Sequence, residues 1–294
     1  MSSDEWPVRP LVEYPVGAVA RSLGIPVATL RSWNQRYGLG PSQSYRGRHR
    51  RYTPTDFAVA LRMVELVRAG ASPASAAVAA RTVAVPVPQL GDLAPAISAA
   101  ERLDAAELVA MITAHLTHHG VVATWNRLCR PVFAEIVGKQ RGGAGFVDVE
   151  HLLSWAVTTS LHRVIPLLRN VSGGPPIVLA CTDGEGHVLP LEVLRAALAE
   201  LGLSALLLGA SVPTTAVVDA LAKHDRRPVV VLWSQSSRTA IPIPTFGPYE
   251  GWARVLLAGP GWRDCALPPT AAAHVDTLEA AIAELQSVVT ANLR

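Results

Sequence analysis

The sequence contains few cysteines, few charged residues and no long apolar run, and each shortage excludes a class of protein. The three cysteines, Cys129, Cys181 and Cys265, are far apart and form no C-x-x-C pair, so neither a disulfide framework nor a cysteine-rich metal site is indicated. No stretch approaches the roughly 18 uncharged apolar residues that cross a bilayer, and the first residues lack the layout of a signal peptide. We therefore expect a cytoplasmic protein that has no membrane partner.

Composition and length favour a globular protein with several domains. Half of the 294 residues are apolar and only 17% are charged, so every domain can close a hydrophobic core. At roughly 100–200 residues per domain, the length predicts two domains, or three if one is small.

Charge is unevenly divided along the chain. Residues 1–88 hold 11 arginines against five acidic residues, whereas the other residues hold 15 basic and 18 acidic ones. Six of those arginines lie between Arg31 and Tyr52, in a segment that has neither lysine nor acidic residues but several aromatic ones. Arginine forks bind phosphate oxygens and guanine edges, so this segment is typical of a DNA-binding surface.

The same segment has the pattern of a helix-turn-helix. Helical spacing before Gly24 and again over residues 26–37 predicts two short helices joined by a tight turn. The stretch 42–53 is too polar and basic to form a core, and we predict that it forms a two-stranded wing. Thr53 or Thr55 is then expected to cap a longer helix, with another short helix after it.

The motif A-T-L-R-S-W-N-Q-R-Y-G at residues 28–38, followed by a wing that ends R-x-Y-x-x-x-D, resembles the winged-helix domain of the MerR family. The resemblance implies a transcriptional regulator of double-stranded operator DNA that binds as a homo-oligomer, a dimer or a tetramer, since paired recognition helices read two half-sites. The side chains that would enter the major groove are Thr29, Arg31, Trp33, Arg36 and Tyr37. Those that would bind the flanking phosphates are Arg46, Arg48, Arg50, Arg51 and Tyr52.

The rest of the chain divides into a helical part and an alternating part. Prolines and glycines between residues 86 and 95 indicate a linker, and helical spacing over residues 96–171 predicts three or four helices with breaks at Gly120 and at 141–145. Four short apolar strands then alternate with helices, which is typical of a parallel sheet covered on both faces. We predict these strands at 177–181, 205–208, 229–233 and 255–258.

The predicted fold class is therefore multidomain, α and α/β. Its parts are a winged helix-turn-helix at residues 1–85, a central helical bundle at 86–172 and a C-terminal Rossmann-like parallel sheet at 173–294.

The loop D-G-E-G-H-V-L-P at residues 183–190 follows the first predicted strand of the sheet. Ligands of open α/β sheets bind just beyond the carboxyl ends of strands. A metal-binding histidine needs an acceptor for its other ring nitrogen, and Glu185 lies two residues before His187. The pattern E-x-H-x-x-P resembles the D/E-x-H-x-x-G signature of cobalamin-binding Rossmann-like domains, although Pro190 replaces the glycine. The resemblance implies that His187 is the lower axial ligand of cobalt.

Small residues after the other three predicted strands extend this resemblance. They follow the second strand at 208–213, close the third at Ser234 and follow the fourth at 259–261. In the family, such residues cradle the nucleotide tail and the corrin edge. The resemblance implies these cofactor contacts: Asp183, Glu185, His187, Ser211, Val212, Ser234, Gly259 and Gly261.

A third motif, V-D-V-E-H-L-L-S at residues 147–154, lies in the helical region. It resembles the W-x9-E-H-x-x-S element of the helical cobalamin cap in CarH-type photoreceptor repressors. The resemblance adds three cofactor contacts, Val147, Glu150 and His151, and implies that His151 is the upper axial ligand of cobalt once the adenosyl group has left. The tryptophan position holds Gln140, so Trp125 or Trp155 would have to supply the missing aromatic shield.

Across nearly the whole chain, the three modules resemble the CarH and LitR branch of MerR regulators. This implies a repressor rather than an enzyme, in which bound cobalamin, most simply adenosylcobalamin, senses light and changes the oligomeric state. Two alternatives stay open. Gln140 and Pro190 favour a repressor whose altered pocket binds another tetrapyrrole or no ligand. A corrinoid-dependent enzyme subunit is disfavoured because the roughly 250 residues of a catalytic barrel do not remain in this sequence.

Overall fold

A computed structural model describes residues 14–41, 51–82, 88–143, 145–165, 168, 174–240, 253–265 and 271–291. Within these ranges the chain forms an N-terminal helical unit, a central helical bundle and a five-stranded parallel sheet with helices on both faces. No helix of the described part is long and apolar enough to cross a membrane.

The N-terminal unit follows the predicted order of helices. Its elements are β1 (Tyr14–Pro15), α1 (Val16–Leu23), α2 (Val27–Tyr37), β2 (Arg51–Tyr52), α3 (Pro54–Arg68) and α4 (Pro73–Thr82). Gly24 ends α1 in the left-handed conformation, with φ of 62°, which allows the tight turn into α2. Of the two predicted caps, Thr53 is the one that forms: its hydroxyl accepts from the backbone N–H of Asp56, whose carboxylate accepts from that of Thr53.

The strand at the end of the predicted wing has an unexpected partner. Arg51–Tyr52 pairs antiparallel with Tyr14–Pro15, so Tyr52 lies opposite Tyr14. The expected pairing inside 42–53 involves residues that lie outside the described ranges, and the pairing with β1 was not predicted. Residues 42–50, which hold the rest of the predicted wing, lie outside the described ranges.

The central bundle breaks where the sequence predicts. Its elements are α5 (Ala94–Glu101), α6 (Ala105–Thr124), a π-helical turn (Trp125–Cys129), α7 (Arg130–Arg141) and α8 (Val147–Val164). Gly120 has φ of 76° and ψ of 175° and therefore kinks α6. We call these helices the cap.

The sheet has the order β4-β3-β5-β6-β7, all parallel. Its elements are β3 (Ile177–Cys181), α9 (Leu189–Glu200), β4 (Ala205–Gly209), α10 (Thr214–Ala222), β5 (Val229–Trp233), β6 (Arg254–Ala258), a 3₁₀ turn (Pro260–Trp262), β7 (Ala271–Val275) and α11 (Leu278–Ala291). The prediction of four strands missed β7, because its sequence A-A-A-H-V is rich in alanine, which has little β-propensity.

The cap and the sheet share one hydrophobic core. A second core lies within the N-terminal unit, and a third covers the opposite face of the sheet. The three cysteines are free, and burial raises the pKa of Cys129 and Cys181 to about 12. These two thiols are therefore protonated at neutral pH, which agrees with a packing role.

Candidate functional site

Helix α2 presents a basic surface. The side chains of Arg31 and Arg36 are exposed, and those of Thr29 and Tyr37 are partly exposed. Arg51 is exposed at the edge of the N-terminal unit. Arg46, Arg48 and Arg50 lie outside the described residues. The exposed arginines have the chemistry that the predicted DNA contact requires.

Two residues expected at DNA are buried instead. Trp33 is 8% exposed and Tyr52 is 2% exposed, and both belong to the core of the N-terminal unit. The expectation that Trp33 enters the groove and that Tyr52 binds phosphate is therefore wrong in this structure. The physical reason is the helical repeat, since Trp33 lies three residues after Leu30, which is fully buried.

The loop after β3 is organised around one buried carboxylate. Glu185 is 2% exposed. Its Oε1 accepts from the backbone N–H of His187 at 2.9 Å and lies 2.5 Å from Nδ1 of the same ring. Its Oε2 accepts from the backbone N–H of Gln235 and from the hydroxyl of Thr239, each at 2.7 Å. A carboxylate that accepts this many hydrogen bonds is held in one position, and the bonds favour its ionised form.

Burial by itself would raise the pKa of Glu185, but the hydrogen bonds outweigh it. The Thr239 hydroxyl and the backbone N–H groups of His187 and Gln235 together lower this pKa to about 2. Glu185 is therefore ionised at neutral pH and holds one tautomer and one orientation of His187.

His187 combines a fixed ring with access from solvent. Its side chain is 65% exposed. Because the Glu185 carboxylate engages Nδ1, Nε2 is the ring nitrogen that is left for a ligand. Asp183 and Gly186 on the same loop are also exposed, so the ring lies in an exposed loop at the carboxyl end of the sheet.

The loop after β4 is joined to the His187 loop. The backbone N–H of Ser211 donates to the carbonyl of Glu185 at 2.7 Å, and the Ser211 hydroxyl accepts from the backbone N–H of Gly184 at 3.0 Å. Ser211 has φ of 46°, an uncommon conformation for a residue other than glycine. Val212 is 8% exposed and packs below. These bonds hold the loop that follows β4 in a fixed position beside the loop of His187.

Two glycines after β6 bring the backbone close to the end of β5. A Cβ on Gly259 would lie 2.4 Å from the carbonyl oxygen of Ser234, and one on Gly261 would lie 2.6 Å from that of Ser236. No other residue fits at either position without backbone movement. The Ser234 hydroxyl is buried and lies 2.7 Å from that of Thr239. These contacts place the predicted residues Ser234, Gly259 and Gly261 in one cradle.

The predicted cap residues lie at the start of α8. Val147 is 59% exposed, His151 is exposed and Glu150 is half-buried. The Gln140 amide donates to the Glu150 carboxylate at 2.7 Å and to the carbonyl of Phe146 at 3.0 Å. The residue at the expected tryptophan position is therefore a hydrogen-bond partner of Glu150.

Contacts between α8 and α9 bring the cap to the carboxyl end of the sheet, where His187 lies. Nε2 of His162 lies 2.9 Å from the carboxylate of Glu192, which is in the first turn of α9. Burial opposes ionisation of Glu192, but His162 and the guanidinium of Arg195 lower its pKa. The two candidate tryptophans differ in position: Trp125 contacts Phe133 and the core, whereas Trp155 is 52% exposed on α8.

Sequence reasoning missed three contributors to this site. Thr239 and the backbone of Gln235 bind Glu185 across 54 and 50 residues of sequence, so no local pattern indicates them. The pairing of Gln140 with Glu150 was also missed, although ten residues separate them in a recognisable element.

Known proteins are similar to the N-terminal unit and to larger parts of the chain. Residues 14–82 match the model of the MerR HTH family regulatory protein. The HTH-type transcriptional repressor CarA of Myxococcus xanthus is 29% identical over 223 residues, which are 74% of this chain and 75% of CarA. The monomethylamine corrinoid protein of Methanosarcina barkeri is 15% identical, with a TM-score of 0.55 over 65% of this chain and 96% of that protein. At this identity the last likeness shows the fold alone.

Proposed function

We propose that this chain, a MerR-type regulator, is a DNA-binding transcriptional repressor that is controlled by bound cobalamin. The observation that carries the proposal is the Glu185–His187 pair, in which a buried carboxylate holds Nδ1 and leaves Nε2 of an exposed ring for a metal. The similarity to the CarA repressor supports the regulatory half of the proposal, and the corrinoid-protein fold supports the other half.

The donor set fits cobalamin better than a free metal ion. Within the described part of the chain, no group of three or more His, Cys, Asp or Glu side chains could hold a metal ion. A single histidine suits a metal that already has ligands of its own, as cobalt has in a corrin ring. Gly259 and Gly261 let the loop after β6 lie directly against Ser234 and Ser236, so small residues form the surface that we propose for the nucleotide tail.

Each proposed contact has a stated role. His187 would hold the cobalt of cobalamin, and Glu185 would fix the tautomer of that ring. Ser211 and Val212, together with the cradle of Ser234, Gly259 and Gly261, would hold the nucleotide tail and the corrin edge. On the cap, Val147, Glu150 and His151 would hold the cofactor. Adenosylcobalamin would supply a cobalt–carbon bond that light can cleave, and His151 would be a second nitrogen donor for cobalt after that cleavage.

DNA binding belongs to the exposed arginines of α2 and to Arg51, together with the arginines of the wing. The ligand can shift repression only by as much as its affinity differs between two assembly states of the chain. We propose that the dark, adenosyl-bound form is the assembly that binds the operator, and that light disassembles it.

The proposal is tested by the affinity of the full chain for DNA. The probe is the duplex that the chain selects from a random library, and its affinity is measured in the dark, with and without adenosylcobalamin, and after illumination. We expect tight binding with the cofactor in the dark and weaker binding after light. Equal affinity in all three conditions would leave a repressor that does not respond to cobalamin.

A further inference from the structure

Helix α9 connects the His187 loop to the kink of the cap, on which the N-terminal unit packs. It begins at Leu189, two residues after His187, and ends at Glu200. At 1.5 Å per residue a helix of this length spans roughly 18 Å. Residues 193–200 are all buried, so close packing on every side opposes bending of this part of the helix.

Glu200 joins α9 to the kink of the cap. It is 6% exposed, and its two carboxylate oxygens accept from the backbone N–H of Val121 at 3.0 and 3.1 Å. Gly120 breaks α6 at this point. A Cβ on Gly120 would lie 3.2 Å from Oε1 of Glu200, so the carboxylate fits closely against the kink. A polar group that is this deeply buried is costly to leave without its hydrogen-bond donor.

The N-terminal unit packs on α6, the helix that contains this kink, through α3. A buried tyrosine of the unit is also close enough to Glu200 to be affected by its charge: Tyr14 is 2% exposed, and both its burial and the charge of Glu200 raise the pKa of its phenol. Tyr14 pairs with Tyr52, at the end of the predicted wing.

Other contacts show that the N-terminal unit is docked on the cap in this structure. Helices α1 and α3 pack against α8, and α3 also packs against α6. One ion pair crosses this boundary, between Arg163 and Glu65 at 3.9 Å, and both side chains are partly exposed. Exposed ion pairs of this kind contribute little, so the packing of α3 on α6, which Glu200 holds at Val121, is the stronger link.

We infer that Glu200 couples the cofactor loop to the DNA-binding unit. A displacement of the His187 loop moves α9, and Glu200 carries that movement to Val121 in α6, against which α3 of the DNA-binding unit packs. The inference rests on the proposed function for the identity of the effector, but the docking role of Glu200 does not depend on any ligand.

The test uses the full chain and the variant Glu200→Gln, which keeps an acceptor oxygen for Val121 and removes the charge. Glu284→Gln is the matched control, because it removes the same charge from a surface ion pair with Arg254. Without cofactor, we expect amide hydrogen exchange at Val121 and in the strand pair of Tyr14 and Tyr52 to be about tenfold faster in Glu200→Gln only. Unchanged exchange in that strand pair would overturn the docking role.

The second readout is coupling. Allosteric coupling commonly amounts to roughly 5- to 150-fold in affinity. Cobalamin should change the DNA affinity of the wild type and of Glu284→Gln within that range, and should change that of Glu200→Gln by less than twofold, while both ligands still bind alone. Full coupling in Glu200→Gln overturns the inference. If the wild type itself shows no response to cobalamin, the proposed function fails, and the exchange data still decide whether Glu200 docks the DNA-binding unit.

Gly120→Ala gives a second route if Glu200→Gln folds poorly. It keeps every charge but adds a methyl group 3.2 Å from the Glu200 carboxylate, at a backbone conformation that disfavours any side chain. The same two changes are expected, and normal exchange together with full coupling in this variant would contradict the role of the junction.

Discussion

The amide of Gln140 donates a hydrogen bond of 2.7 Å to the carboxylate of Glu150. Glu150 precedes His151 on α8, so the pair determines what an upper group of the cofactor would contact. An amide plane shields less surface than an indole ring. If the proposed function holds, the upper pocket would therefore be more open and more polar than one closed by tryptophan.

Selectivity for the upper group of cobalamin should accordingly be weak. We expect adenosyl-, methyl- and hydroxocobalamin to bind the wild type with similar affinities. Gln140→Trp should raise the affinity for adenosylcobalamin by up to about tenfold, because an aromatic contact contributes roughly 0.5–1.5 kcal/mol beyond buried area. Gln140→Ala is the control that removes the hydrogen bond without adding a ring. A strict preference of the wild type for adenosylcobalamin would mean that another side chain, such as Trp155, closes the pocket.

The hydroxyl of Thr239 should affect how the stability of the fold depends on pH in the acid range, because it donates a hydrogen bond to Glu185. A carboxylate with a lowered pKa stabilises the fold fully above its ordinary value of 4.5 and loses this contribution as the pH falls toward about 2. Thr239→Val removes one donor, so the pKa of Glu185 should rise. The loss should then still begin near pH 4.5, but it should be smaller and should end at a higher pH than in the wild type. Thr239→Ser keeps the donor and should behave as wild type.

This is checked by urea unfolding of the three proteins from neutral pH down to about pH 3, where the native carboxylates begin to protonate. Identical pH profiles for Thr239→Val and wild type would show that Thr239 does not control Glu185.

Substitutions of Trp33 and Arg31 should have different effects, the first on stability and the second on DNA recognition. Trp33→Ala should destabilise the N-terminal unit by roughly 3–5 kcal/mol, because it empties a buried site. Arg31→Ala should leave the free energy of unfolding unchanged and reduce discrimination between the selected duplex and random DNA by about 1–3 kcal/mol. The measurements are thermal unfolding and DNA titration of both variants. A stable Trp33→Ala protein with weak DNA binding would restore Trp33 as a groove contact.

The unit that binds DNA should contain at least two copies of the chain. Paired recognition helices read half-sites about one helical turn, roughly 34 Å, apart. A footprint on the selected duplex should therefore cover two half-sites related by symmetry. Protection of a single half-site, or a complex with one chain per duplex, would contradict this.

Local signals in the sequence account for most of the fold. The glycine at 24, the cap at Thr53 and the break at Gly120 all act through backbone conformation or a near neighbour. The two glycines were predicted at their places, and Thr53 was one of two predicted caps. Strand β7 was not, since its alanines carry no local preference for a strand and it forms by pairing with β6.

The site residues also divide into those that a local sequence pattern indicates and those that only the fold brings together. The Glu185–His187 pair could be predicted because two residues separate its members, whereas Thr239 reaches Glu185 only through the fold. Trp33 was assigned to DNA from its motif, although its spacing from Leu30 indicated the apolar face of α2. Glu200 binds the backbone of Val121 across 79 residues of sequence, and nothing near either residue in the sequence indicates that bond.

Cobalt binding by His187 is decided by the visible absorption spectrum of the purified protein, titrated with adenosylcobalamin in the dark. The variants are His187→Ala and, as a control, His118→Ala, which removes an exposed histidine of the cap. The wild type and His118→Ala should show the base-off, histidine-bound spectrum and retain the cofactor on gel filtration. His187→Ala should show neither. An unchanged spectrum and full retention in His187→Ala would contradict a cobalamin-controlled repressor built on this histidine.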